Sequence, residues 1–207
     1  MNVCPAAPGE AVGIAVIGLN GAGKSTLAHQ LAKKLGLFEI DAEDYFFPAQ
    51  KASRIADLDG SAPEKSALPD GGIPFSSGRS GDEAWKAIAD DVTIHPRFVI
   101  SSVTIKSAEV ISRLTAAVML RAPLDTRLSR IAERERRRFG QRVLPGGDMY
   151  ESQSEFQRFV SGRSEDMIAE NAAMFGCPVL CLDGTAPLTE NLRAAAEFAA
   201  ASAKSHM

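Results

Sequence analysis

Two rhythms of apolar positions alternate along the chain. The first is a short, almost wholly apolar run, Val12 to Leu19, which contains Val12, Ile14, Ala15, Val16 and Ile17 and stops at a glycine-rich turn. A strand buried on both faces of a parallel sheet reads this way. Next, Leu27, Leu31 and Leu35 recur four apart with Ala28 and Ala32 beside them and end at Gly36, the pattern of an amphipathic helix with a C-terminal glycine cap. The alternation repeats. Further strands are predicted over 37–42, 97–105, 116–121 and 178–182. Further helices are predicted over 82–92, where Trp85, Ile88, Ala89 and Val92 share a face, over 107–114, from Leu124 onward, and over 151–175, closed by Gly176. A last helix carries Leu188, Leu192, Ala195 and Ala199 on one side.

Short apolar strands separated by helical segments predict an α/β fold: a doubly wound, five-stranded parallel sheet with helices on both faces. Right-handed crossovers restrict its topology further. Two stretches break the rhythm. Residues 57–81 are rich in Gly, Pro and Ser, and residues 139–149 carry Gly140, Pro145, Gly146 and Gly147. Both read as loops beside a site, or as insertions without function.

Composition narrows the picture. A chain of 207 residues, 45% hydrophobic and 24% charged, is long enough for one good core, and a single domain over 1–207 is expected. The net charge of -3 and pI of about 5.7 supply no global basic field of the kind that attracts nucleic acid or anionic lipid, so an anion site must be local. Three cysteines, Cys4, Cys177 and Cys181, read as buried thiols in a reducing compartment, with no histidine nearby to suggest a metal site. The stretch from Met1 to Glu10 lacks the basic and apolar regions of a secretory signal, and no apolar run is long enough to span a membrane. A cytoplasmic protein without membrane or nucleic-acid partners, monomeric or homodimeric, is expected.

The strongest chemical signal is Gly18-Leu19-Asn20-Gly21-Ala22-Gly23-Lys24-Ser25-Thr26, which satisfies G-x-x-x-x-G-K-[ST] in full. Glycines let successive backbone N–H groups turn inward around a phosphate, and the following helix directs its positive N-terminus at the same anion. Lys24 then reaches the β- and γ-phosphates of a nucleoside triphosphate, and the Ser25 hydroxyl binds Mg²⁺. The position between a buried strand and an amphipathic helix is the context this motif requires.

The nucleotide is expected to be ATP, because no guanine-reading Asn-Lys-x-Asp segment occurs in the chain. The strand Phe98-Val99-Ile100-Ser101-Ser102-Val103 ends without the acidic residue that holds Mg²⁺ in motor and transporter ATPases. Another carboxylate must assist. Asp41, at the end of the second strand, should point into the same crevice, as a general base on an acceptor hydroxyl, as a partner of Mg²⁺, or both. Asp44 lies one turn further and is a candidate for holding the acceptor. Either aspartate can instead cap the next helix, and Glu43 reads as solvated.

A second constellation is basic. Along a helix from Leu124, the residues Arg127, Arg130, Arg134 and Arg138 form one stripe, and Leu124, Leu128 and Ile131 form the adjoining buried one. Arg142 follows in the Gly/Pro loop. Bidentate arginines stabilise the charge that phosphoryl transfer spreads over oxygen; a solvated basic face is the plainer reading. Glu133 and Arg137, four apart, read as a surface pair.

In these motifs the chain resembles small-molecule P-loop kinases of the adenylate kinase and shikimate kinase type, including an adenylate kinase-like AAA family ATPase group. The resemblance runs from Gly13 to about the last helix. It rests on Gly18 to Thr26, on Ile40-Asp41-Ala42-Glu43-Asp44-Tyr45, and on Arg127, Arg130 and Arg134 followed by Arg138 and Arg142. It implies an acceptor-side loop over about 43–81 and an arginine-rich lid over about 124–150. It further implies Arg130 over the adenine, Arg134 and lid arginines on phosphates, and an acceptor site near Pro74 to Arg79, where Arg79 would meet an acceptor anion. The segment between Tyr45 and Asp82 matches neither adenylate kinase nor shikimate kinase, so the acceptor is not defined by the resemblance.

Three functions are compatible with these residues. The first is an ATP-dependent kinase acting on a small metabolite, slightly favouring a hydroxyl acceptor because Asp41 is in place to take its proton. The second is a nucleoside monophosphate kinase, whose phosphate acceptor needs no base. The third is a nucleotide-gated module that hydrolyses ATP slowly.

Overall fold

The computed structural model describes residues 11–60 and 78–204. Five strands, β1 (Val12–Gly18), β2 (Phe38–Asp41), β3 (Arg97–Ser102), β4 (Ala116–Arg121) and β5 (Val179–Asp183), form one sheet in the order β2-β3-β1-β4-β5. Every pairing is parallel. This is the doubly wound sheet expected from the sequence, with β1 at its centre and fully buried.

The period of two along β1 divides the core between the sheet's faces. Ala15 and Ile17 pack on one side with Ile40, Phe98 and Ile100. Ile14 and Val16 pack on the other with Val99 and Val118. Helices α4 (Gly81–Ile94), α5 (Ala108–Ile111) and α8 (Asp166–Ala173) cover the first face through Ile88, Val92, Val110, Ile168 and Ala172. Helices α1 (Lys24–Leu35) and α9 (Leu188–Lys204) cover the second through Leu27, Leu31, Ala195 and Ala199. Of the remaining helices, α2 (Ala42–Phe46) and α3 (Lys51–Asp59) follow the carboxyl end of β2, and α6 (Leu124–Phe139) and α7 (Tyr150–Ser161) follow that of β4, the side where ligands bind in open α/β sheets.

Local signals explain most boundaries. Gly36 ends α1 in the left-handed region, its N–H bonded to Ala32. Ser80 and Glu83 form a reciprocal capping box that starts α4. Three expectations are corrected. The helix expected over 151–175 is two, α7 and α8, separated around Gly162 and Arg163. The irregular stretch expected from Asp57 begins inside α3, while residues 61–77 lie outside the described ones. Cys181 is exposed because β5 is an edge strand with one face open, and Cys177, before that strand, is only half-buried; Cys4 lies outside the described residues. No helix among the described residues is long and apolar enough to cross a membrane.

Candidate functional site

The loop between β1 and α1 is built around backbone that only glycine tolerates. Gly21 has φ +83°, and a Cβ there would lie 2.5 Å from the carbonyl oxygen of Arg127. The α1 N-terminus has no side-chain cap, so its first N–H groups face the cleft without a side-chain partner, which is the construction of an anion site. Lys24 is buried and donates from Nζ to the Leu19 carbonyl at 3.2 Å. Burial depresses its pKa, and the negative charges of Glu43 and Asp41 partly offset this. The Ser25 hydroxyl lines the same cleft and has no hydrogen-bond partner among the described residues. A cleft with a free hydroxyl, a buried cation and an uncapped helix start fits a triphosphate with Mg²⁺.

This cleft, about 270 Å³, is also lined by Asn20, Gly21, Gly23, Thr26, Glu43, Arg130, Arg134 and Arg137. Three arginines of α6 take different positions. Arg127 is buried and structural: its Nε donates to the Ala122 carbonyl at 3.1 Å and its Nη1 to the Asn20 carbonyl at 3.4 Å. It therefore braces the loop from beneath, while Leu124, expected to be buried, is 40% exposed. Arg130 spans the cleft mouth, with Nη1 3.4 Å from the Gly21 carbonyl and Nη2 3.0 Å from the Gly184 carbonyl. Arg134 faces the cleft and is held at Nε and Nη2 by Glu135, at 2.8 Å and 2.7 Å. Arg142 is elsewhere: Asp148 accepts from its Nε at 3.0 Å and Nη2 at 2.7 Å, and it does not line the cleft.

At the end of β2 the three acidic residues take three different positions. Asp41 caps α2, accepting from the Glu43 N–H at 3.0 Å, and its second oxygen accepts from the Ser101 hydroxyl at 2.9 Å. Its side chain is 2% exposed and lines neither adjacent cleft. Asp44 is taken by Arg54, which donates from Nε at 2.9 Å and Nη2 at 2.6 Å, and from Nη1 to Glu39 at 2.9 Å. Burial raises the Asp44 pKa against the pull of Arg54. Asp44 thus belongs to a structural pair, not to an open acceptor subsite as expected. Arg54→Ala would strand the Asp44 carboxylate, a loss of about 3 kcal/mol, the low end for breaking a buried pair because α3 can yield to water; urea denaturation measures it.

Glu43 is the third and most informative of these acids. It makes no hydrogen bond or ion pair through its carboxylate among the described residues, and it lines both the phosphate cleft and a second cleft of about 910 Å³. That second cleft has Phe46 and Trp85 on its wall, edge to face at 6.0 Å, together with Ser102, Thr104 and Lys106. The sequence reading of Glu43 as solvated is correct as to exposure and missed its place between two cavities. Also missed was Arg163, in the break between α7 and α8. Its Nη1 donates to the Asn20 Oδ1 at 2.7 Å, and its charge acts on Lys24 and Glu43. Of the expected acceptor segment, Pro74 to Ser77 lie outside the described residues. Arg79 is exposed, with its backbone N–H bonded to the Phe46 carbonyl at 2.9 Å.

A third pocket, about 290 Å³, adjoins the phosphate cleft between the loop and the segment after β5, lined by Gly23, Thr26, Leu27, Arg130, Gly184 and Ala186 among others. Arg130 is common to both.

Comparison with known proteins places this arrangement. A gluconokinase from Sinorhizobium meliloti 1021 superposes with a TM-score of 0.51 at 18% identity, covering 94% of this chain and 95% of that one. The chain has the P-loop fold of that protein. Weaker superpositions are found with a sugar kinase from Janibacter sp. HTCC2649, with a TM-score of 0.49, 16% identity and coverage of 90% and 93%. They also reach a shikimate kinase from Acinetobacter baumannii in complex with shikimate, with a TM-score of 0.46, 17% identity and coverage of 88% and 89%. In sequence the chain is 27% identical over 188 residues, 86% of its length and 92% of the relative's, to the uncharacterized protein YqaC of Bacillus subtilis (strain 168). No protein-family model matches it.

Proposed function

We propose that this protein is an ATP-dependent phosphotransferase that moves the γ-phosphoryl group to a hydroxyl of a small molecule. The observation that carries this reading is the position of Glu43, a free carboxylate shared by the phosphate cleft and the aromatic-walled cleft beside it. The names of the structural neighbours, kinases of gluconate, sugar and shikimate, agree with a hydroxyl acceptor.

In this reading the triphosphate lies against Gly18, Asn20, Gly21, Ala22, Gly23, Lys24, Ser25 and Thr26, with the base beside Arg130 in the adjoining pocket. Ser25 holds Mg²⁺, which neutralises phosphate charge when bound. Lys24, Arg134 and Arg163 stabilise the transferring group. The acceptor occupies the cleft of Phe46 and Trp85, where Glu43 accepts its hydroxyl proton as the oxygen attacks phosphorus. Asp41, with both oxygens engaged, fixes the start of α2 and hence the placement of Glu43. A phosphate acceptor needs no proton removed and would leave Glu43 without a role, which favours a hydroxyl.

Arg134→Ala should lower the transfer rate about 10²-fold or more while ATP affinity changes much less, because the charge it meets develops in the transition state. Equal losses in both would make it a binding residue only. The reading itself is tested by ADP release from Mg–ATP against a panel of sugars, hydroxy acids, nucleosides and nucleoside monophosphates, beside a control without acceptor. Strong stimulation by a hydroxyl compound is expected. Stimulation by monophosphates alone, or a slow rate indifferent to every compound, would overturn it.

A further inference from the structure

Charged contacts dominate the attachment of helix α3. None of its residues is fully buried, and three of its side chains reach three different places. Arg54 pairs with Glu39 and Asp44, and Asp59 pairs with Lys33 at 2.6 Å and with His29 at 3.2 Å. Asp57 turns towards α6. Its side chain is 8% exposed; the Arg138 Nε donates to one of its oxygens at 2.5 Å and the Arg137 Nε to the other at 3.3 Å.

The two arginines differ in kind. Arg138 is as covered as Asp57 and does not line the phosphate cleft, whereas Arg137 is 51% exposed and does. Asp57 holds Arg137 by Nε alone, and the two terminal nitrogens have no partner among the described residues. A long exposed arginine loses rotamer freedom when it binds an anion, and one already gripped at Nε loses less. A carboxylate beside an anion site would ordinarily repel the ligand. Here Arg138 offsets the charge of Asp57, so the charge of Arg137 remains for the phosphates.

We propose that Asp57 is a positioning residue for nucleotide binding: it orders Arg137 so that its terminal nitrogens meet the triphosphate, with Arg138 as its counterion. The proposal rests on the nucleotide reading above. It gives α3, on the acceptor side of the molecule, a part in how firmly the nucleotide is held.

The test is calorimetric titration of the full chain with a non-hydrolysable Mg–ATP analogue. Asp57→Ala is expected to weaken binding about fivefold to tenfold, Arg137→Ala to do the same, and the double variant to be no weaker than Arg137→Ala, because interacting neighbours are non-additive. Asp59→Asn, which leaves the Arg54 pairs to hold α3, should bind within about twofold of wild type. Unchanged or tighter binding by Asp57→Ala, additive losses, or an equal loss in Asp59→Asn would overturn the proposal. Wild type that fails to bind the analogue would overturn the nucleotide reading and this inference together, whereas wild-type binding with an indifferent Asp57→Ala overturns this inference alone.

Discussion

Lys24→Ala is expected to lower turnover by at least about 10²- to 10³-fold, the scale of removing one preorganised charge-stabilising donor, without loosening the fold. The second half of that expectation follows from burial. Lys24 is desolvated in the folded protein, and burial lowers its pKa because an ammonium is unfavourable there. The nearby charges of Glu43 and Asp41 offset part of this, and an arriving triphosphate would offset more. Removing the cation relieves the fold of that desolvation, so the thermal midpoint of the variant, measured without nucleotide, should equal or exceed that of wild type while activity is lost, a trade typical of functional sites. Full activity in Lys24→Ala would overturn the phosphate-loop reading, and a large fall in the midpoint would show that the lysine is mainly structural.

Glu43→Gln should reduce acceptor-dependent transfer about 10²- to 10⁴-fold, the range for losing a general base, with affinity for ATP little changed or improved, since a carboxylate leaves the edge of the phosphate cleft. Asp41→Asn is the informative contrast. An asparagine there can still accept from the Glu43 N–H, and the Ser101 hydroxyl can turn from donor to acceptor. Its effect should be smaller and should come through the placement of α2. The reverse ranking, with Asp41→Asn the more damaging in kcat, would return the base to Asp41.

The parallel sheet and the phosphate loop were legible in the chain because both rest on short-range order. Apolar runs with period two or four and a contiguous glycine motif carry their information within a few residues of each other. What was not legible depends on side chains brought together from distant segments. Asp41 and Asp44 looked alike in the sequence, yet one is closed by Ser101 across the sheet and the other by Arg54 from α3. Of these three acids, Glu43 alone has a carboxylate with no hydrogen bond or ion pair among the described residues, and no local pattern distinguishes it. The stripe of α6 was placed about one position off because Arg127 and Glu135 are buried with polar partners that the apolar period does not show: the carbonyls of Ala122 and of Asn20 in the phosphate loop for one and Arg134 for the other. Arg163 has a signal in hindsight. Gly162 precedes it inside an expected helix of unusual length, and such a glycine marks a break where a side chain can turn to a site.

The measurement that tests the central claim most directly is ³¹P NMR of the reaction with Mg–ATP and the compound that best stimulates ADP release. The expected result is a new phosphate-ester resonance growing in step with ADP, with little inorganic phosphate. ADP formed together with inorganic phosphate alone, and no ester from any acceptor, would contradict phosphoryl transfer to a hydroxyl and leave a nucleotide hydrolase in its place.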